Sequence, residues 1–236
     1  MITTVRWRRR ATVLAALAAV LLPAAAPAAA SPAPTVGAVA ARREIPQPPP
    51  VDVVRAELDE LTVEAPHSMD GYSREKFPHW TKISGECDTR ETVLARDGQD
   101  VVQDELCRAV AGTWTSLYDG KVSSDAKALD IDHVVPLAAA WRSGAAVWTA
   151  ARREAYTNDQ VAPNSLIAVS GSSNRSKSDK DPAAWMPVEA DRCKYVIDWV
   201  ADKLRRRPSA DAAELQALSH HAESCPTTTV TYQQVP

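Results

Sequence analysis

The apolar positions of this chain fall into blocks with different periods. Residues 11–22, ATVLAALAAVLL, run apolar but for Thr12 behind Arg6, Arg8, Arg9 and Arg10, and small-residue sites follow at Ala24-x-Ala26 and Ala28-x-Ala30. This order predicts a secretory signal over residues 1–30, with an apolar run too short to span a bilayer. The adjacent arginines leave a twin-arginine route open. Residues 31–50, rich in Pro and Ala and ending in IPQPPP, predict an extended spacer.

From residue 51 the pattern becomes periodic. Val51, Val54, Leu58 and Leu61 recur at helical spacing over 51–63, and a loop with His67, Tyr72, Arg74, Phe77, His79 and Trp80 follows. Residues 87–98 predict a short helix, capped by Asp88 or Thr89 and stopped at Gly98. Residues 107–120 predict a hairpin, with Gly112 near its first bend and a turn at Asp119-Gly120. Leu129–Leu137 is extended and limited by Pro136, and a helical turn over 138–145 ends at Gly144. A helix over 149–159 has Thr149 as its cap, and 165–170 is a short strand leading into a Ser-rich stretch that turns helical. Residues 189–207 place Cys193, Val196, Ile197, Val200 and Leu204 on one helical face, and 209–224 predicts a last helix capped by Ser209. The expected class is α+β, a single domain over 51–230 in which helices outnumber short strands.

Composition refines this picture in two ways. The four cysteines, Cys87, Cys107, Cys193 and Cys225, all follow the signal, and an even count in an exported chain reads as two disulfides. Of three possible pairings, Cys87–Cys107 and Cys193–Cys225 each close a local loop and are favoured. A zinc site is the weaker alternative, because no CxxC or HxxxH spacing occurs. The whole chain has 27 basic and 30 acidic residues; removing the four arginines of the signal leaves 23 against 30, or −7. That balance argues against a strong non-specific grip on nucleic acid, which rests on neutralising phosphates.

The candidate chemistry sits in LDIDHVVPL (129–137), NSLIAVS (164–170) and SNRSKSDKDP (173–182). His133 is a natural base near neutral pH. Asp132 is a hard oxygen ligand suited to magnesium or manganese, and Asn174 offers a neutral carbonyl oxygen. Asp130 is a further acidic candidate on the same strand face as Asp132. In a regular strand Asp132 and His133 point to opposite faces, so a shared site needs a strand end or a twist.

Asp132-His133-Val134-Val135-Pro136, then Asn164-Ser165-Leu166, then Asn174-Arg175-Ser176-Lys177 together resemble the HNH endonucleases. The branch is that of secreted bacterial HNH endonuclease family proteins, similar to the nuclease part of GmrSD-type restriction enzymes. The resemblance runs from about Tyr72 to Cys225 and includes GECDTRETVLARDG, LYDG, AWRSGA and DPAAW. It implies a strand–strand–helix (ββα-metal) HNH core embedded in a mostly helical, disulfide-linked domain. It further implies His133 as general base, and Asp132 and Asn174 as ligands of one divalent ion, magnesium with manganese as the alternative. Asn164 would hydrogen-bond the loop that orients His133, and Lys177 would bind a phosphate or steady the site. Apart from the resemblance, Arg175, Lys177 and Lys180 form a basic cluster whose two readings are contact with substrate phosphates and a solvated helix edge. Two departures stand out: helical segments 138–159 lengthen the gap between His133 and Asn164, and Asn174 replaces the histidine of many relatives. The expected activity is hydrolysis of phosphodiesters in DNA, with RNA as an alternative, by a secreted monomer free of the membrane after signal cleavage. The rival expectations are an inactive binding module of the same fold and a phosphodiesterase for small extracellular esters.

Overall fold

Short apolar runs flanked by turn residues become strands, and the longer amphipathic segments become helices, in a computed structural model that describes residues 57–225 and 230–235. In chain order the elements are β1 (Lys82–Ser84), β2 (Cys87–Asp88), α1 (Thr89–Asp97), β3 (Gln99–Gln103), β4 (Ala109–Thr115), β5 (Val122–Ser123) and β6 (Leu129–His133). There follow α2 (Leu137–Arg142), α3 (Ala150–Thr157), β7 (Leu166–Ser170), α4 (Gly171–Lys177), α5 (Arg192–Arg206) and α6 (Ala212–Glu223). The expected signal and spacer, and the first half of the helix expected over 51–63, lie outside the described residues. Leu58 and Leu61 of that segment are buried in the main core.

The caps explain where helices begin. Asp88 accepts from Glu91 N at 2.9 Å, Thr149 accepts from Arg152 N at 3.1 Å, and Ser170 accepts from Ser173 N at 3.3 Å. For α6 the cap is Asp211, which accepts from Ala213 N and Glu214 N, and not Ser209. The Ser209 carbonyl instead accepts the Lys203 ammonium, and its N–H donates to Ser143 O at 2.9 Å.

The predicted hairpin is shifted. The Asp119-Gly120 turn joins β4 to β5, and β4 also pairs with β3, a strand that the sequence pattern did not announce. Gly112 is no bend but lies inside β4, at φ +147, where a Cβ would come 2.7 Å from the Trp114 indole. A side chain there would displace the tryptophan that fills this sheet.

β6 and β7 pair antiparallel in unbroken register, from Leu129↔Ser170 to His133↔Leu166. One face of the pair carries Leu129, Ile131, Leu166 and Ala168, packed with Val93 and Leu94 of α1 and with Trp114. The opposite face turns Ile167 and Val169 into the main core formed with α2, α3, α5 and α6. α4 packs across this second side of both strands. The two sides of this small sheet therefore differ, and that difference decides the layout of the site.

Both disulfides are present as Cys87–Cys107 and Cys193–Cys225. α5 buries more than the predicted stripe: Asp198, Asp202, Lys203, Arg205 and Arg206 are also buried. The Arg205 guanidinium holds Asp159 at 2.8 Å and Arg206 pairs with the same carboxylate, tying α5 to the end of α3. No helix among the described residues is long and apolar enough to cross a membrane.

Candidate functional site

Because β6 stays regular to its last residue, Asp130 and Asp132 project to the α4 side, and His133 projects to the α1 side with Leu129 and Ile131. The sequence-predicted residues thus divide between two pockets that share one strand.

On the α4 side, Asp132 is buried. Its Oδ2 accepts from the Tyr118 hydroxyl at 2.5 Å and from Lys177 Nζ at 2.7 Å. Lys177 is 0% exposed, and its ammonium also donates to the His133 carbonyl at 3.0 Å. Burial pushes the Asp132 carboxyl up and the Lys177 ammonium down, and each restrains the shift of the other. The Lys177 ammonium thus meets Asp132 and has no surface to offer a substrate phosphate.

Asn174 is half-buried and donates from Nδ2 to Asp130 Oδ2 at 3.1 Å. Its carbonyl oxygen accordingly points away from that carboxylate. Arg175 is exposed and lies over Gly171, where a Cβ would come 3.1 Å from its Nη1 and 3.3 Å from Asp130 Oδ2. Asp130, Asn174 and Arg175 therefore form the solvent-facing part of this side.

The donor set answers whether a divalent ion fits Asp132 and Asn174 together. It does not fit in this arrangement, because Asp132 already carries a fixed cation and Asn174 is turned to Asp130. Among the described residues, no three His, Cys, Asp or Glu side chains are grouped to hold a metal.

On the other side, the His133 ring is 5% exposed. It lies parallel to Trp80 at 5.6 Å with a 7° interplanar angle, and Tyr156 stacks near it at 6.0 Å. His133 Nε2 is 3.1 Å from the Thr157 carbonyl. A carbonyl only accepts, so Nε2 carries the proton and Nδ1 is the basic nitrogen. Nδ1 has no hydrogen-bond partner among the described residues. Burial is the main cause that lowers the His133 pKa to about 3, against a smaller upward pull from Thr157.

The loop after His133 is held from below. Val134 N donates to Ser165 O at 3.0 Å, and the Tyr156 hydroxyl donates to Val135 O. Ser165 Oγ donates to Asp202 Oδ1 at 2.6 Å, and burial raises the Asp202 carboxyl to about 6. Asn164 is half-buried, and its side chain makes no hydrogen bond among the described residues. Ser165, Tyr156 and Asp202 occupy the supporting role expected of Asn164.

Sequence reasoning did not assign Tyr118, Thr157, Tyr156, Asp202, His79 or Trp80 to the site. Tyr118 belongs to LYDG and His79-Trp80 to an irregular loop, so no period marked them. An aromatic next to histidine in a chain with few aromatics was the available signal.

The described residues form an α+β domain in which Asp132 and His133 end β6 on opposite faces. Residues 88–220, more than half of the chain, match the family described as GmrSD restriction endonucleases, C-terminal domain. The chain is also similar to an "Uncharacterized secreted protein" of the fungus Arthroderma benhamiae, 44% identical over 185 residues, covering 77% of this chain and 90% of the relative. The chain belongs to the family of GmrSD restriction endonuclease C-terminal domains. Membership points to a nuclease-related function. A restriction of the resemblance to bacterial proteins is not supported, since the matched relative is fungal. No solved structure matches the chain.

Proposed function

We propose that the protein is an exported HNH-type endonuclease that hydrolyses phosphodiester bonds in DNA, with RNA as the alternative polymer, using His133 as general base. The single observation that carries this reading is the fixed tautomer of His133, whose Nε2–H is committed to Thr157 O and whose Nδ1 remains an unprotonated acceptor. A general base needs a free lone pair at working pH, and burial keeps this imidazole neutral. An entering phosphodiester brings negative charge, which raises the His133 pKa back toward the range where proton acceptance is efficient. Water gives its proton to Nδ1 as its oxygen attacks phosphorus.

The expected cofactor is one divalent ion, magnesium or manganese, held by Asp132 and Asn174; with Lys177 on Asp132 and Asn174 on Asp130 this pair does not fit it, and no step here is routed through an ion. Export is supported by the basic-then-apolar N-terminal segment, by two disulfides and by the name of the fungal relative. The reading takes the exported form to be a monomer that is not held at the membrane.

The test is nicking of supercoiled plasmid by the oxidised protein with magnesium, with manganese and with chelator. His133→Ala is expected to lower the rate by about 10²–10⁴-fold while far-ultraviolet dichroism stays native. Equal rates for the wild type and a folded His133→Ala protein would refute the assignment of the base. One observation favours a second reading, a binding module without turnover: Asp132 is already neutralised by Lys177. Binding of plasmid and RNA without cleavage of either, under any of the three metal conditions, would select it.

A further inference from the structure

The loop that covers His133 carries a second imidazole. Thr157 Oγ1 and Asn158 Nδ2 both donate to Pro78 O, at 2.5 and 2.8 Å, and Thr81 N donates to Asn158 Oδ1 at 3.0 Å. His79 and Trp80 lie between these two anchors, so the end of α3 fixes them against the strand end. The His79 ring stands edge-on to His133, 6.4 Å between centroids and 83° between planes. His79 Nδ1 is 2.5 Å from Phe77 O, so that nitrogen carries a proton and Nε2 is the nitrogen available for other chemistry. His79 is half-buried where His133 is nearly closed off, and it is therefore the more solvent-accessible imidazole. The exposed Arg74 guanidinium is close enough for its charge to act on His133, as do His79 and Lys177.

We infer that His79 is a catalytic residue of the phosphodiester cleavage proposed above, the general acid that protonates the leaving sugar oxygen. The inference rests on that nuclease reading. Two imidazoles at this separation can engage the entering and leaving oxygens of one phosphoryl group, with hydrogen bonds of roughly 2.6–3.2 Å from each. The water oxygen forms a bond to phosphorus and its proton passes to His133 Nδ1. The bond from phosphorus to the sugar oxygen breaks, and that oxygen takes the Nε2 proton of His79 acting as an imidazolium, whose other proton stays on Nδ1 against Phe77 O. His79 ends neutral and His133 protonated, and exchange with solvent water restores both. Arg74, whose charge acts on His133, supplies positive charge for the phosphate.

A general acid matters most when the leaving group is a poor one. The experiment compares wild type with His79→Gln, both as full oxidised protein, on plasmid DNA and on bis(p-nitrophenyl) phosphate, whose p-nitrophenolate leaves without a proton. Plasmid cleavage is expected to fall on the order of 10²–10³-fold, and hydrolysis of the small diester by less than about tenfold. The plasmid pH–rate profile of wild type should be bell-shaped, and its alkaline limb should vanish in His79→Gln. Equal losses on both substrates with an unchanged profile would mean that His79 only shapes the pocket, and would overturn the inference. An unaffected plasmid rate would overturn it as well. Wild-type protein inactive on both substrates would refute the nuclease reading itself and the inference with it; an active wild type lacking the split and the profile change refutes the inference alone.

Discussion

Replacing Lys177 by methionine isolates the cation buried beneath the site. Methionine keeps most of the stem volume and removes the ammonium that lies 2.7 Å from Asp132 Oδ2. Asp132 is then left as a buried carboxylate with one hydrogen bond from Tyr118 and no cation. Breaking a buried pair from one side costs about 3–5 kcal/mol, a large part of the roughly 5–15 kcal/mol that holds a domain together. The sign of the pH dependence follows from Asp132. Its carboxyl is already raised by burial with Lys177 in place, and loss of Lys177 raises it further. A carboxyl raised in the folded state holds its proton more tightly there than in the unfolded chain. Its penalty is therefore full above the folded pKa and fades as pH falls below it, by about 1.4 kcal/mol per unit of separation. Urea unfolding of Lys177→Met and wild type at pH 8 and pH 5 reads this directly: the deficit is largest at pH 8 and smaller at pH 5. The double variant Lys177→Met/Asp132→Asn should return to within about 2 kcal/mol of wild type at both values, since the stranded charge is gone. A single variant as stable as wild type at pH 8, or a deficit equal at both pH values, would refute the account of this pair.

Two further perturbations test other parts of the fold. Burial raises the Asp202 carboxyl to about 6, so its ionised form opposes folding above that pH and not well below it. Asp202→Asn, which keeps an oxygen for Ser165, should raise the melting temperature at pH 8 by an amount worth up to about 3 kcal/mol, and hardly at all at pH 5; the same gain at both would count against it. Gly112→Ala must accept φ +147 and a Cβ 2.7 Å from the Trp114 indole. It should lose about 1–3 kcal/mol in urea unfolding, and an unshifted midpoint would show that β4 tolerates a side chain there.

Much of the scaffold was legible because local chemistry dictated it. The Asp88 and Thr149 caps, the Gly98 and Gly144 stops and the strand before Pro136 each depend on near neighbours in sequence. β3 was missed because its residues, Gln99–Gln103, are mostly exposed and carry no apolar alternation. Ser209 lost the cap to Asp211 because tertiary contacts with Ser143 and Lys203 claimed its backbone. For the candidate site, the three motifs fall at the end of β6, at the start of β7 and on α4. They did not reveal that Asp132 pairs with Lys177 and Asn174 with Asp130, because those choices depend on how α4 lies across β6. A shared site for Asp132 and His133 needed a strand end or a twist, and the unbroken β6–β7 register instead keeps the two on opposite faces.

The segment between β6 and β7 bears on modularity. α3 and the residues just after it provide the carbonyl that sets the His133 tautomer, the ring beneath that imidazole and the anchors for the His79-Trp80 loop. Two strands and α4 excised from this protein and grafted onto another scaffold would carry Asp132, His133, Asn174 and Lys177 and still lack the tautomer-setting carbonyl. The transferable unit runs from the loop before β1 through α4 and includes the whole intervening helix. A shortened linker between the strands would remove the contacts that hold His133 and the His79-Trp80 loop.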